Sequence, residues 1–139
     1  MNPDLYIITG ASRGLGRAMA EQLAASGATV LGLSRQAPSA AFEQWPCDLA
    51  DPVPVAVRLA AWLGTFDASR FAGASLINNA AMLTAPAPLV DVDLESLSQA
   101  TRIGLEAPLL LTAAFLRATR TWPCRRRVLH VSSGLGRRG

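Results

Sequence analysis

Three glycines constrain this chain more than any other feature. Gly10, Gly14 and Gly16 stand at the spacing G-x-x-x-G-x-G inside residues 7–23, "IITGASRGLGRAMAEQL", after the β-forming run 5–9 and before a run of helix formers. A strand that turns on glycines into a helix leaves the first N–H groups of that helix free, with the positive end of its dipole exposed to an anion. Gly10 permits a sharp exit from the strand, Gly14 lets backbone approach a phosphate, and Gly16 brings the helix close to the sheet. The stretch reads as a dinucleotide-binding turn, with Ser12, Arg13 and Leu15 at the intervening positions.

The rest of the chain alternates in the same manner. A helix is expected over residues 17–25, its Ala18, Leu23 and Ala24 lying on a sheet, with Gly27 as a left-handed cap. A second buried strand follows at 29–33. Beyond the Pro/Ser/Ala loop 34–40, residues 42–47 suit a third strand that Pro46 weakens, with Asp48 at its end. Asp51 and Pro52 open a helix with Val57, Leu59, Ala60 and Leu63 on its apolar side, stopping near Gly64. Residues 75–78 form a fourth strand that leads into the proline-rich "NNAAMLTAPAPLVD", a loop of the active-site kind.

A long helix is expected over 94–119, with apolar Leu97, Ile103, Leu105, Leu109, Leu110 and Leu116, and bent because Gly104 and Pro108 lie inside it. Trp122 and Pro123 break it, and residues 128–131 make a fifth strand ending in Ser132, Ser133 and Gly134. The order β-α-β-(α)-β-α-β-α-β predicts an α/β fold, a doubly wound parallel sheet in one domain.

Composition narrows the partners. With 139 residues, 50% of them apolar and 17% charged, the chain suits a packed globule and argues against disorder. Its formal charge of +3 arises from arginine alone, since lysine is absent. Arg125, Arg126 and Arg127, with Arg137 and Arg138, raise the question of nucleic acid. No aromatic residues interleave as stacking platforms, so the triplet reads as a solvated loop before a strand and no nucleic-acid partner is expected.

Cys47 and Cys124 lack ligand spacing, so neither a metal nor a disulfide framework is indicated, and two free thiols suit a reducing cytoplasm. The longest apolar stretch, 109–116, is interrupted by Thr112 and too short for a bilayer, and the N-terminus has no basic leader. No membrane partner is expected.

An acid at the end of the second strand would hold the adenosine ribose of NAD(H). Here Ser34 and Arg35 occupy that place, eighteen residues after Gly16. An acid would repel a 2′-phosphate, whereas Arg35, helped by Arg13, can hold one by charge-assisted hydrogen bonds. The cofactor expected is NADP(H) ahead of NAD(H).

With these pieces together the chain resembles the short-chain dehydrogenase/reductase family. The matching segments are Thr9-Gly10-Ala11-Ser12-Arg13-Gly14-Leu15-Gly16, Cys47-Asp48-Leu49, Asn78-Asn79-Ala80-Ala81 and Val131-Ser132-Ser133-Gly134, in the family's order. The resemblance implies a Rossmann fold of three α/β/α layers, with strands 1–5 of the family's seven. It points to Asp48, beside Leu49, as the adenine partner, and to Asn79, Ala80 and Ala81 as lining the cofactor. Ser133 becomes the catalytic serine that bonds the substrate oxygen, while His130 is given no role.

Two departures stand out. Gly104 occupies the place of the family's relay asparagine, and the family's Tyr-x-x-x-Lys would lie beyond Gly139. The expectation is an NADPH-dependent reductase of small ketones or diketones, like the bacterial benzil reductase and sepiapterin reductase-like members, homo-oligomeric at full length. Without the Tyr-x-x-x-Lys half, the 139-residue chain itself is expected to be inactive. The alternatives are a non-catalytic dinucleotide-binding or interaction fragment.

Overall fold

The structure, a computed structural model, describes residues 2–36 and 41–133; Gly134, Arg137 and Arg138 of the sequence reading lie outside them. Five strands, β1 (Asp4–Thr9), β2 (Thr29–Ser34), β3 (Glu43–Pro46), β4 (Gly73–Asn78) and β5 (Arg125–His130), pair in parallel in the order β3-β2-β1-β4-β5. Helix α1 (Gly14–Ala25) lies on one face, and α2 (Pro52–Leu63) with α4 (Ala107–Ala118) on the other. Between β4 and α4 come a loop, a short 3-10 turn at Leu89–Asp91, and α3 (Leu94–Thr101). This is the doubly wound sheet that the alternation predicts.

Parallel strands covered on both faces must be apolar on both faces. The central strand β1 meets that demand with Leu5 and Ile7 facing α2 and α4, and Ile8 facing α1, all fully buried. Spacing of four fills the larger core: Val55, Leu59 and Leu63 from α2 meet Ala107, Leu111 and Phe115 from α4. An edge-to-face run of Trp45, Trp62, Phe66 and Phe71 closes that layer, and Trp122 stacks on its end. The edge strand β3 accommodates Pro46 because no described strand pairs with its outer side.

Several boundaries differ from the sequence reading, each for a local reason. Arg125, Arg126 and Arg127 are not in a loop: they form the first half of β5, pairing with Gly73, Ala74 and Ser75. At the end of the described sheet, the exposed arginines of β5 reach water while their backbone stays in the ladder with β4. Val57 points to solvent, 64% exposed, on the side of α2 away from Leu59 and Leu63. On α1 the face toward the sheet is Ala20 with Met19, Leu23 and Ala24, and Ala18 is exposed.

The helix expected over 94–119 runs without a break from Leu94 to Ala118, with a π-turn inside it. This turn, Arg102–Glu106, joins α3 to α4 with helical backbone on both sides, and Pro108, which has no N–H to give the preceding turn, follows it directly. Gly27 has φ +95° and follows the C-cap of α1 as a left-handed residue. No helix of the described residues is long and apolar enough to cross a membrane.

The core assignment predicts that Phe115→Ala lowers unfolding stability by about 3–5 kcal/mol. Leu109→Ala, on the exposed side of the same helix, should change it by less than about 0.5 kcal/mol. Urea denaturation followed by circular dichroism measures both.

Candidate functional site

Because the strands are parallel, all of their carboxyl ends reach one edge of the sheet. The strand order reverses between β1 and β4, so the chain leaves β1 toward α1 on one face and leaves β4 toward the other, opening a crevice between the two exits. Thr9 holds the crevice closed at its base. Its Oγ1 accepts the backbone N–H groups of Asn79 at 3.0 Å and Ala80 at 2.9 Å. Asn79 answers with its side chain, Nδ2 donating to the carbonyls of Thr9 at 3.2 Å and Gly10 at 3.3 Å. The glycine turn is drawn to β2 as well, since Gly10 N donates to Leu33 O at 2.8 Å.

Each glycine has a different reason to be there. Gly10 and Gly14 have positive φ, +69° and +58°, a region that favours glycine. A Cβ on Gly14 would meet nothing within 4 Å, so the turn is open at that point. Gly16 is the tight one: its Cβ would strike Gly10 O and stand 2.5 Å from Asn79 Nδ2. Its closest approach is thus to the turn and the Asn79 wedge, which lie at the end of the sheet.

Helix α1 begins on Gly14 after Arg13, whose backbone is extended, with no side-chain cap and no acid in the first turn. Its leading N–H groups therefore point at the crevice mouth with no side chain to cap them, which is the chemistry that receives a phosphate. Arg13 and Arg35 are both exposed at this edge, and neither pairs with a carboxylate among the described residues. Ser34 plays a different part from its neighbour. It is buried, and its hydroxyl donates to Gln36 O at 2.5 Å, so its one proton shapes the turn after β2. Ser12 is half-buried and Leu15 exposed on the same loop.

Asp48 follows β3 at the same edge, exposed, with Oδ1 accepting the N–H of Ala50 at 2.8 Å in a local turn. Leu49 beside it is buried. Burial pushes the Cys47 thiol up, with the Arg58 guanidinium pulling back and the Asp48 carboxylate adding to the rise. That thiol is a poor nucleophile at neutral pH. Ala80 is half-buried, Ala81 exposed, and Ser133 exposed just past β5, where the bond from Val131 N to Asn78 O at 3.0 Å carries the ladder almost to it.

The family model for short chain dehydrogenases matches residues 5–139. The chain belongs to that family. It is 33% identical over 134 residues to a benzil reductase, (S)-benzoin forming, of Bacillus subtilis, and 30% over 141 residues to one of Bacillus cereus. Each alignment takes in 94% of this chain but 55% and 57% of those relatives. The chain therefore spans little more than half the length of the curated relatives it matches.

A short-chain dehydrogenase/reductase of Burkholderia vietnamiensis superposes with a TM-score of 0.86 at 37% identity, over 96% of this chain and 65% of that one. A metagenomic short-chain oxidoreductase solved with NADP superposes at 0.81 and 27%, over 97% and 63%.

Within this oxidoreductase family frame, sequence reasoning assigns no structural role to three residues that hold the site together: Thr9 and Asn78, which stand in the matching segments, and Thr112. Thr9 reads in sequence as the last β-former of its strand, Asn78 as a polar end to an apolar run, and Thr112 as an interruption of a helix. Asn78 is buried, and its Nδ2 reaches Thr112 Oγ1 at 3.3 Å. Only the fold brings β4 and α4 together. Replacing Thr9 by Val should strip Asn79 and Ala80 of their acceptor and cost about 2–3 kcal/mol, while Thr9→Ser keeps the oxygen and most of the stability. Thermal unfolding of the two variants makes the comparison.

Proposed function

We propose that the carboxyl edge of this sheet binds NADP(H), and that the chain is the cofactor-binding part of a carbonyl reductase acting on small ketones or diketones. The observation that carries the reading is the uncapped start of α1, open at Gly14, with Arg13 and Arg35 exposed beside it and no acid at the end of β2. Pyrophosphate would lie on the free N–H groups of the glycine turn, and a 2′-phosphate between the two arginines. Since the proton of Ser34 is committed to Gln36, Arg35 and Arg13 carry the discrimination between NADP(H) and NAD(H).

Asp48 would accept from the adenine amino group, Leu49 would pack beside it, and Asn79, Ala80 and Ala81 would line the path toward Ser133. Bound there, the nicotinamide supplies the hydride. Ser133 would donate a hydrogen bond to the substrate oxygen and orient it. The names of the two Bacillus relatives support an aromatic diketone as a first substrate to try.

A proton donor for the developing alkoxide is the missing element. Tyr6 sits in β1 beside Asp4, Arg125 and Arg127, toward the opposite edge of the sheet, and the chain has no lysine to tune a phenol. We infer that the 139 residues bind cofactor without turning over, and that reduction needs a tyrosine and lysine from outside them. A second reading, a dinucleotide-binding module without chemistry, is favoured by that same lack of lysine. The apolar residues Leu105 of the π-turn and Leu109 and Leu116 of α4, 66%, 65% and 42% exposed, support association with a second copy along this helix. Reduced thiols at Cys47 and Cys124 support a cytoplasmic setting.

Fluorescence titration tests the cofactor reading: NADPH should bind more tightly than NADH, and Arg35→Asp should weaken NADPH at least about tenfold while leaving NADH within about twofold. Equal losses for both would remove Arg35 from the phosphate site. NADPH oxidation with benzil separates the two functional readings. The 139-residue chain should show none, and a form extended by a Tyr-x-x-x-Lys segment should show it only if the site is a reductase's.

A further inference from the structure

Asn78 ends β4 with its side chain inside the fold: it is 5% exposed, and its Oδ1 has no partner among the described residues. Its Nδ2 donates to Thr112 Oγ1 on α4 at 3.3 Å and lies 3.4 Å from His130 Nδ1 on β5, which accepts from it in the tautomer that leaves Nδ1 bare. Its carbonyl accepts the N–H of Val131, the last rung before Ser132 and Ser133. One buried residue therefore holds the end of β5 by its backbone and by its side chain together.

We propose that His130 is a positioning residue: through the Asn78 amide and the Thr112 hydroxyl it ties the carboxyl end of β5 to β4 and α4, and so sets the placement of Ser133. The inference rests on the reading of Ser133 as the group that meets the substrate oxygen. The tie has two forms. With Nδ2 toward the ring, Nδ1 must be bare and the imidazole proton must sit on Nε2. When the ring takes a second proton, both of its nitrogens become donors, and Nδ1–H then opposes Nδ2–H. Rotation of the amide relieves the conflict, because Oδ1 then accepts from His130 and from the Thr112 hydroxyl together.

Few charges compete for the ring. β4 carries no titratable residue; α4 carries Arg117 alone, with Glu106 just before its first residue; and the other titratable groups of β5 are Arg125, Arg126 and Arg127 at its far end. Arg126 is engaged elsewhere, its Nη1 donating to Leu116 O at 3.4 Å. The ring is otherwise exposed, and Asn78 is the side chain within hydrogen-bond reach of its Nδ1. A proton gained or lost by the ring would therefore be felt at the end of β5 through the Asn78 amide.

Nitrogen-15 NMR of the 139-residue chain tests this without any turnover. The ring shifts should report the Nε2–H tautomer at high pH, and the Asn78 side-chain NH2, Val131 and Ser133 resonances should follow the ring's titration. His130→Phe should abolish that pH dependence and speed hydrogen exchange at Val131 about fivefold, the change expected for one lost hydrogen bond. His130→Asn, neutral and able to donate or accept, should restore slow exchange without restoring the pH dependence. Thr112→Val, which removes only the hydroxyl, should weaken the coupling between ring and amide.

An Asn78 amide that ignores the ring's titration overturns the proposal, and so does a Ser133 resonance unmoved while Asn78 responds. Failure of the underlying reading would look different. It would appear as benzil reduction unaffected by Ser133→Ala in the extended form, with the NMR coupling intact.

Discussion

The hydroxyl of Thr9 is the contact on which the site depends. It accepts two successive N–H groups, from Asn79 and Ala80, at the place where β1 and β4 part to opposite faces. A parallel pair normally ends in two loops that drift apart, since no hairpin joins them. Here the pair stays closed beyond its last rung, and Asn79 returns the interaction by donating to Thr9 and Gly10. The glycine turn, the close seat of Gly16 and the direction of α1 all follow from that fixed base. Gly16 must lack a side chain because Gly10 O and Asn79 already occupy the space.

Electrostatics at this edge act in one direction. A helix start without cap or acid, two exposed arginines and a serine whose proton is spent on its own turn make a surface suited to negative charge. The acid of the site, Asp48, stands past β3 at the far side, where its Oδ1 already accepts from Ala50. Charge thus divides the edge into a cationic half and a half that offers a carboxylate. Backbone geometry shapes the crevice first, and side chains then set its charge.

Packing is uneven across the molecule. The face toward α2 and α4 is filled by leucines, aromatic rings and Phe115, whereas Leu105, Leu109 and Leu116 turn outward. The sequence counts every apolar residue of this helix alike and does not say which of them face the sheet. The π-turn at Arg102–Glu106 shifts the register between α3 and α4, so the two helices do not continue one stripe. Similarly, three arginines in succession look like a loop until β4 provides a parallel neighbour for them.

The alternation of strands and helices, the glycine spacing and the absence of an acid at Ser34-Arg35 were all readable from the order of residues. Each depends on local chemistry: side-chain period, the positive φ of Gly10 and Gly14, and the sign of a charge. Tertiary structure decided what depends on distant partners meeting. Thr9 acts on residues 70 and 71 positions away, Asn78 joins Thr112 and His130 across 34 and 52 positions, and the proton of Ser34 is claimed by a turn that β2 must first complete. Neither propensity nor spacing reports such pairings, because a polar side chain at a strand end looks the same in sequence whether it faces water or a buried amide.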